Sequence, residues 1–84
     1  MKNHEKKLAY RKFCTALREL RREFDITQSE LARLLDKPQS YVSKYESGEK
    51  RLDFLEVRSI CMALGISLSD FVLRFEKTFN SQAK

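Results

Sequence analysis

The 84-residue chain has no tryptophan, one proline, two glycines and a single histidine. So few glycines and prolines leave little to interrupt helices, and no apolar–polar alternation persists long enough to read as a strand. The two cysteines, Cys14 and Cys61, are far apart and fit no metal-ligand spacing. With His4 as the lone histidine, no zinc site is expected. Both cysteines fall on apolar faces of predicted helices and are expected to be buried thiols, a redox or disulfide role being the alternative. No apolar run approaches the roughly 20 residues of a membrane span. The polar stretch Met1 to Lys7 lacks the apolar segment of a secretion signal, which makes a cytoplasmic location the default expectation. Nor is there a glycine-rich phosphate loop or a nucleophile–base pair, so neither an enzyme nor a cofactor is implied.

Positive charge, in contrast, is plentiful. Seventeen Lys and Arg oppose twelve Asp and Glu, a net charge of +5. The excess lies toward the front of the chain. Lys2, Lys6, Lys7, Arg11, Lys12, Arg18, Arg21 and Arg22 face only Glu5, Glu19, Glu23 and Asp25, and residues 52–84 balance out. Such a basic front suits a phosphate-binding surface, the alternative being a merely solvated face. At this length one domain is expected, with a core over about 8–79, a frayed basic N-terminus and a polar C-terminal tail from Asn80.

Five short helices follow from periodicity and caps. The first spans about Leu8 to Phe24, with Leu8, Phe13, Leu17, Leu20 and Phe24 as its apolar stripe. The second starts at Thr27, which forms a capping box with Glu30, and turns Leu31, Leu34 and Leu35 inward before stopping near Asp36. The third runs from Pro38 or Gln39 to Ser47, with Val42 and Tyr45 inward and Gly48 as its left-handed stop. Asp53 and Glu56 cap a fourth helix, Phe54 to Leu64, whose expected apolar face is Leu55, Val57, Ile60, Cys61 and Leu64, ended by Gly65. Ser67 and Asp70 start a fifth, about Leu68 to Phe79.

The second and third helices, joined by about three residues, carry the functional signal. Ala32 lets them approach closely, and Val42 is a stiff plug between them. The outer face of the third holds Gln39, Ser40, Ser43 and Lys44, which are amide, hydroxyl and amine groups suited to base edges.

This stretch resembles the helix-turn-helix of the phage repressor and Cro class, the XRE type. Ile26-Thr27-Gln28-Ser29-Glu30-Leu31-Ala32 meets its Leu-Thr-Gln-x-x-Leu-Ala pattern, and Gln39 to Arg51 meets the pattern around its recognition helix. The resemblance covers about residues 13–72. It departs at Asp25 and Asp36, where the family usually has glycine; aspartate tolerates the left-handed conformation at a small cost.

The resemblance implies an all-α, five-helix bundle of the lambda-repressor-like type that binds double-stranded DNA as a regulator, a repressor or a controller protein. Gln39, Ser40, Tyr41, Ser43 and Lys44 would read bases, with Gln39 foremost because its amide can pair two sites on adenine. Thr27, Gln28, Ser47, Lys50 and Arg51 would hold phosphates. Arg21 and Glu46 would form a partly buried ion pair that sets the angle of the recognition helix, two independent surface charges being the alternative. In the fifth helix Phe71 is expected to pack inward. Leu68, Val72, Phe75 and Phe79 would form an exposed stripe and hence a homodimer interface, unless that helix simply closes the core. The competing function is an antitoxin-like module that binds a partner protein.

Overall fold

A computed structural model describes the backbone of residues 3–82 and the side chains of 5–78. Five helices follow in order: α1 (Asn3–Glu23), α2 (Gln28–Leu34), α3 (Gln39–Ser47), α4 (Phe54–Leu64) and α5 (Leu68–Gln82). None of these helices is long and apolar enough to cross a membrane.

The capping chemistry accounts for the helix starts. The Thr27 hydroxyl accepts from the Glu30 amide at 3.0 Å, and the Glu30 carboxylate accepts from the Thr27 amide at 2.8 Å. Asp53 and Glu56 repeat the arrangement, with both distances 2.8 Å. In each case the backbone amide holds the glutamate pKa below its ordinary value. Ser67 accepts from the Asp70 amide at 3.0 Å and opens α5. Pro38 precedes α3 with φ −70° and no side-chain cap.

The stops are left-handed residues. Gly48 has φ +89° and Gly65 φ +83°. Asp25 (φ +56°) and Asp36 (φ +58°) occupy the same region, each at a turn beside α2. The second turn closes with the Lys37 amide donating to Ala32 O at 2.9 Å.

One core joins all five helices: Leu17 and Leu20 of α1, Leu31 and Ala32 of α2, Val42 and Tyr45 of α3, Val57, Ile60, Cys61 and Leu64 of α4, and Phe71 of α5. Cys14 and Cys61 are both buried free thiols, and burial raises the pKa of each.

Several sequence expectations are corrected. α1 starts at Asn3 rather than Leu8, because Glu5, Lys6 and Lys7 are good helix formers and Glu5 is placed at the positive end of the helix. Its buried stripe is Cys14, Leu17, Leu20 and Arg21. At 100° per residue Leu8 points roughly opposite that stripe, and Phe24 lies past the last turn; both are exposed. Leu34 is exposed because it sits on the order of 100° from the direction shared by Leu31, Ala32 and Leu35. Leu55 is 69% exposed, lying roughly 170° from the Val57–Ile60–Cys61–Leu64 face.

α5 continues to Gln82, so Asn80 to Gln82 are helix rather than tail, while the expectation for the last two residues falls outside the described ones. Phe71 is buried as expected, but the outer stripe is not uniform. Leu68 packs against the core. Phe75 is half-buried, its ring 6.1 Å from Phe13 and 6.2 Å from Phe71. Val72 is exposed, joined by Leu73, and the Phe79 side chain lies outside the described residues.

Candidate nucleic-acid interface

The α2–α3 unit is held by a chain of polar contacts that begins in the core. Arg21 Nε donates to Glu46 Oε2 at 2.7 Å and Arg21 Nη2 to Glu46 Oε1 at 3.0 Å, a two-pronged pair. Both residues are 8% exposed. The hydrogen bonds that Arg21 donates to Glu46 hold its pKa above the ordinary value. Arg21 Nη1 also donates to Ile26 O at 2.8 Å, fixing the loop that enters α2. The three elements α1, α2 and α3 are thereby tied at one point.

The chain continues outward. Gln28 Nε2 donates to Glu46 Oε1 at 2.9 Å, and Gln39 Nε2 donates to Gln28 Oε1 at 2.7 Å. Gln39, the first residue of α3, is therefore exposed yet oriented by a relay that ends on a buried charge pair. Its own side-chain carbonyl is not used in that relay. Beside it on the outer face stand Ser40 and Lys44, both exposed, with Ser43 half-buried. The helix interior of this segment is Val42, Tyr45 and Glu46.

Tyr41 is placed differently from the other expected base readers. It turns toward α4, where its hydroxyl donates to Glu56 Oε2 at 3.2 Å and its ring meets Tyr45 at 5.6 Å. Burial, reinforced by Glu56, pushes its pKa up to about 12. Lys37 Nζ and Lys50 Nζ lie 5.3 and 5.5 Å from the ring centroid. These are cation–π distances.

The expected phosphate-binding residues fall at two ends of the unit. Thr27 and Gln28 lie at the start of α2, where the Thr27 hydroxyl is engaged in the cap. Ser47, Lys50 and Arg51 lie at and after the end of α3. The Ser47 hydroxyl donates to Lys44 O at 3.0 Å. Lys50 Nζ lies 3.5 Å from Glu56 Oε2, a partly exposed pair. The Arg51 guanidinium stacks on the Tyr10 ring at 4.1 Å, while the Tyr10 hydroxyl donates to Lys50 O at 3.3 Å. Sequence reasoning missed Tyr10, Lys37 and the second task of Glu56. For Tyr10 a signal existed, since it precedes Cys14, Leu17 and Arg21 on one helical face.

Comparison with known proteins identifies the fold and the family. The helix-turn-helix family matches residues 17–71, well over half of the chain. An XRE-family like protein from Pseudomonas syringae pv. tomato is 35% identical with a TM-score of 0.79, over 92% of this chain and 98% of that one. The clp gene regulator ClgR from Corynebacterium glutamicum is 29% identical with a TM-score of 0.76, over 89% of this chain and 80% of that one. A second ClgR structure gives 29% identity and a TM-score of 0.73, over 82% and 88%. No curated protein matches the chain.

Proposed function

The chain belongs to the XRE-type helix-turn-helix family, and from that premise we propose that it is a sequence-specific regulator of transcription that binds double-stranded DNA. The observation that carries this reading is the relay from the buried Arg21–Glu46 pair through Gln28 to Gln39. A helix that served only as solvated surface would have no use for an oriented amide at its first position. In the major groove, Gln39 reads a base edge, with Ser40, Ser43 and Lys44 as further contacts. Tyr41 contributes by bracing α3 against α4 rather than by touching a base, since its hydroxyl is engaged by Glu56. Thr27 and Gln28 lie at one groove wall, and Ser47, Lys50 and Arg51 at the other, where they set affinity and register.

The regulator acts as a two-fold dimer on a palindromic operator, with recognition helices about 34 Å apart. The contact runs through α5, and the support for it is the exposed apolar pair Val72 and Leu73. Repression is the mode this compact domain suits, by occupying a promoter.

Selection of bound sites from random duplexes is the test. An enriched inverted repeat supports the reading, and binding without any enriched motif overturns it. Gln39→Ala relaxes preference at one position per half-site, an unchanged motif excluding Gln39 as a reader. Val72→Asp, at an exposed position, yields monomers in sedimentation.

A further inference from the structure

A cleft of about 240 Å³ lies beside the recognition helix, between α1 and the loop that follows α3. Its walls include Lys7 and Arg11 on α1, Ser47 and Gly48 at the end of α3, and Arg51 on the loop. Lys7, Arg11, Ser47 and Arg51 are all exposed. Glu46 also reaches the cleft, but its carboxylate is bound by Arg21 and Gln28. Three cations therefore converge on a site whose one lining carboxylate is already neutralised.

The cleft is also held in shape. Arg51 stacks on Tyr10 at 4.1 Å, and the Tyr10 hydroxyl pins the Lys50 carbonyl at 3.3 Å. Gly48 brings the α3 terminus close to α1, where a Cβ would stand 4.0 Å from Cys14 Sγ. Ser40, Lys44 and Ser47 recur at i, i+4 and i+7, so the polar face of α3 runs straight into the cleft. At 1.5 Å per residue the eight steps from Gln39 to Ser47 span about 12 Å, the width of the major groove. With Gln39 over base edges, the far end of α3 meets the opposite phosphate wall.

We propose, resting on the DNA-binding reading above, that Lys7 and Arg11 join Arg51 in clamping a backbone phosphate of the bound duplex. α1 thereby becomes part of the DNA interface, one contact beyond the helix-turn-helix itself. The clamp acts on phosphate and not on bases, so it raises affinity and salt dependence without changing the sequence preferred.

The test compares wild type, Lys7→Ala/Arg11→Ala and the control Arg58→Ala for binding to the selected duplex between 50 and 200 mM KCl. Circular dichroism checks that each variant folds; all three positions are exposed. The slope of log K against log salt is expected to become shallower for the double variant, by up to about 0.9 because a single phosphate is clamped, and to stay unchanged for Arg58→Ala. The enriched motif stays the same. A neutral methylphosphonate at the flanking phosphate should weaken wild type more than the double variant, which keeps only Arg51 on that phosphate, and equal weakening of the two would overturn the clamp. A slope equal to wild type, or a loss matched by the control, overturns the clamp while leaving the regulator reading intact. Failure of the wild type to bind any duplex overturns both.

Discussion

Breaking the Arg21–Glu46 pair from one side should destabilise the fold far more than removing it altogether. Both side chains are nearly buried, with 10% and 3% of their surface exposed, and their bonds are 2.7 and 3.0 Å long. Arg21→Met strands the Glu46 carboxylate, which then keeps only the Gln28 amide at 2.9 Å. It also severs the bond to Ile26 O that fixes the entry to α2. The expected cost is about 3–5 kcal/mol. Glu46→Gln is milder, because the amide oxygen can still accept from Arg21; about 1.5–3 kcal/mol is the range for losing a hydrogen bond to a charged group. A domain of this size has roughly 4–13 kcal/mol of total stability. At an m-value of about 1 kcal/mol/M, Arg21→Met lowers the urea midpoint by about 3 M or more. Set against the singles Arg21→Met and Glu46→Leu, the double variant Arg21→Met/Glu46→Leu leaves no stranded charge and should recover most of the loss, giving a coupling energy of at least about 2 kcal/mol. Its DNA affinity should nonetheless fall, because Gln28 loses its inner anchor. Urea unfolding followed at 222 nm measures the cycle. Single variants costing under about 1 kcal/mol, or a double variant equal to their sum, would refute the claim that the pair acts as one buried unit.

Tyr45 is 1% exposed, and its hydroxyl has no hydrogen-bond partner among the described residues; burial raises its pKa. Tyr45→Phe should therefore be neutral or stabilising by up to about 1 kcal/mol, and a loss above that in urea unfolding would reveal a hidden partner. Gly48→Ala meets no steric obstacle, so its cost is that of the left-handed backbone, about 1–2 kcal/mol, whereas Asp36→Gly relieves the same strain and leaves stability equal or up to about 1 kcal/mol higher. Thermal melts rank the two, and the reverse order would contradict the turn assignment. Glu30 and Glu56 both have lowered pKa values in the fold. Their stabilisation is present above the unfolded value near 4.3 and is lost as pH falls through the lower folded values. The variant Glu30→Gln/Glu56→Gln should show a flatter acid limb below about pH 4, and an unchanged limb would sink the capping-box account.

Much of this protein's architecture is legible in its sequence. The starts of α2 and α4 follow from Thr27 with Glu30 and Asp53 with Glu56, because a capping box is satisfied within four residues. The stops at Gly48 and Gly65 are equally local. The polar face of α3 is legible too, since Ser40 and Lys44 lie on the side opposite Val42 and Tyr45. Arg21 and Glu46 even betray their burial: each follows an apolar core residue by four, at Leu17 and Val42.

Where local rules end, tertiary structure decided. Leu68 and Phe75 look like an outer stripe until Phe13 of α1, some sixty residues earlier in the chain, is seen beside Phe75. Tyr41 sits among the polar residues of α3, yet the approach of α4 brings Glu56 to its hydroxyl. The relay from Arg21 to Gln39 and the basic cleft shared by Lys7, Arg11 and Arg51 join residues on separate helices. Sequence spacing is blind to such meetings, because they depend on how the helices cross and not on the periodicity of any one of them.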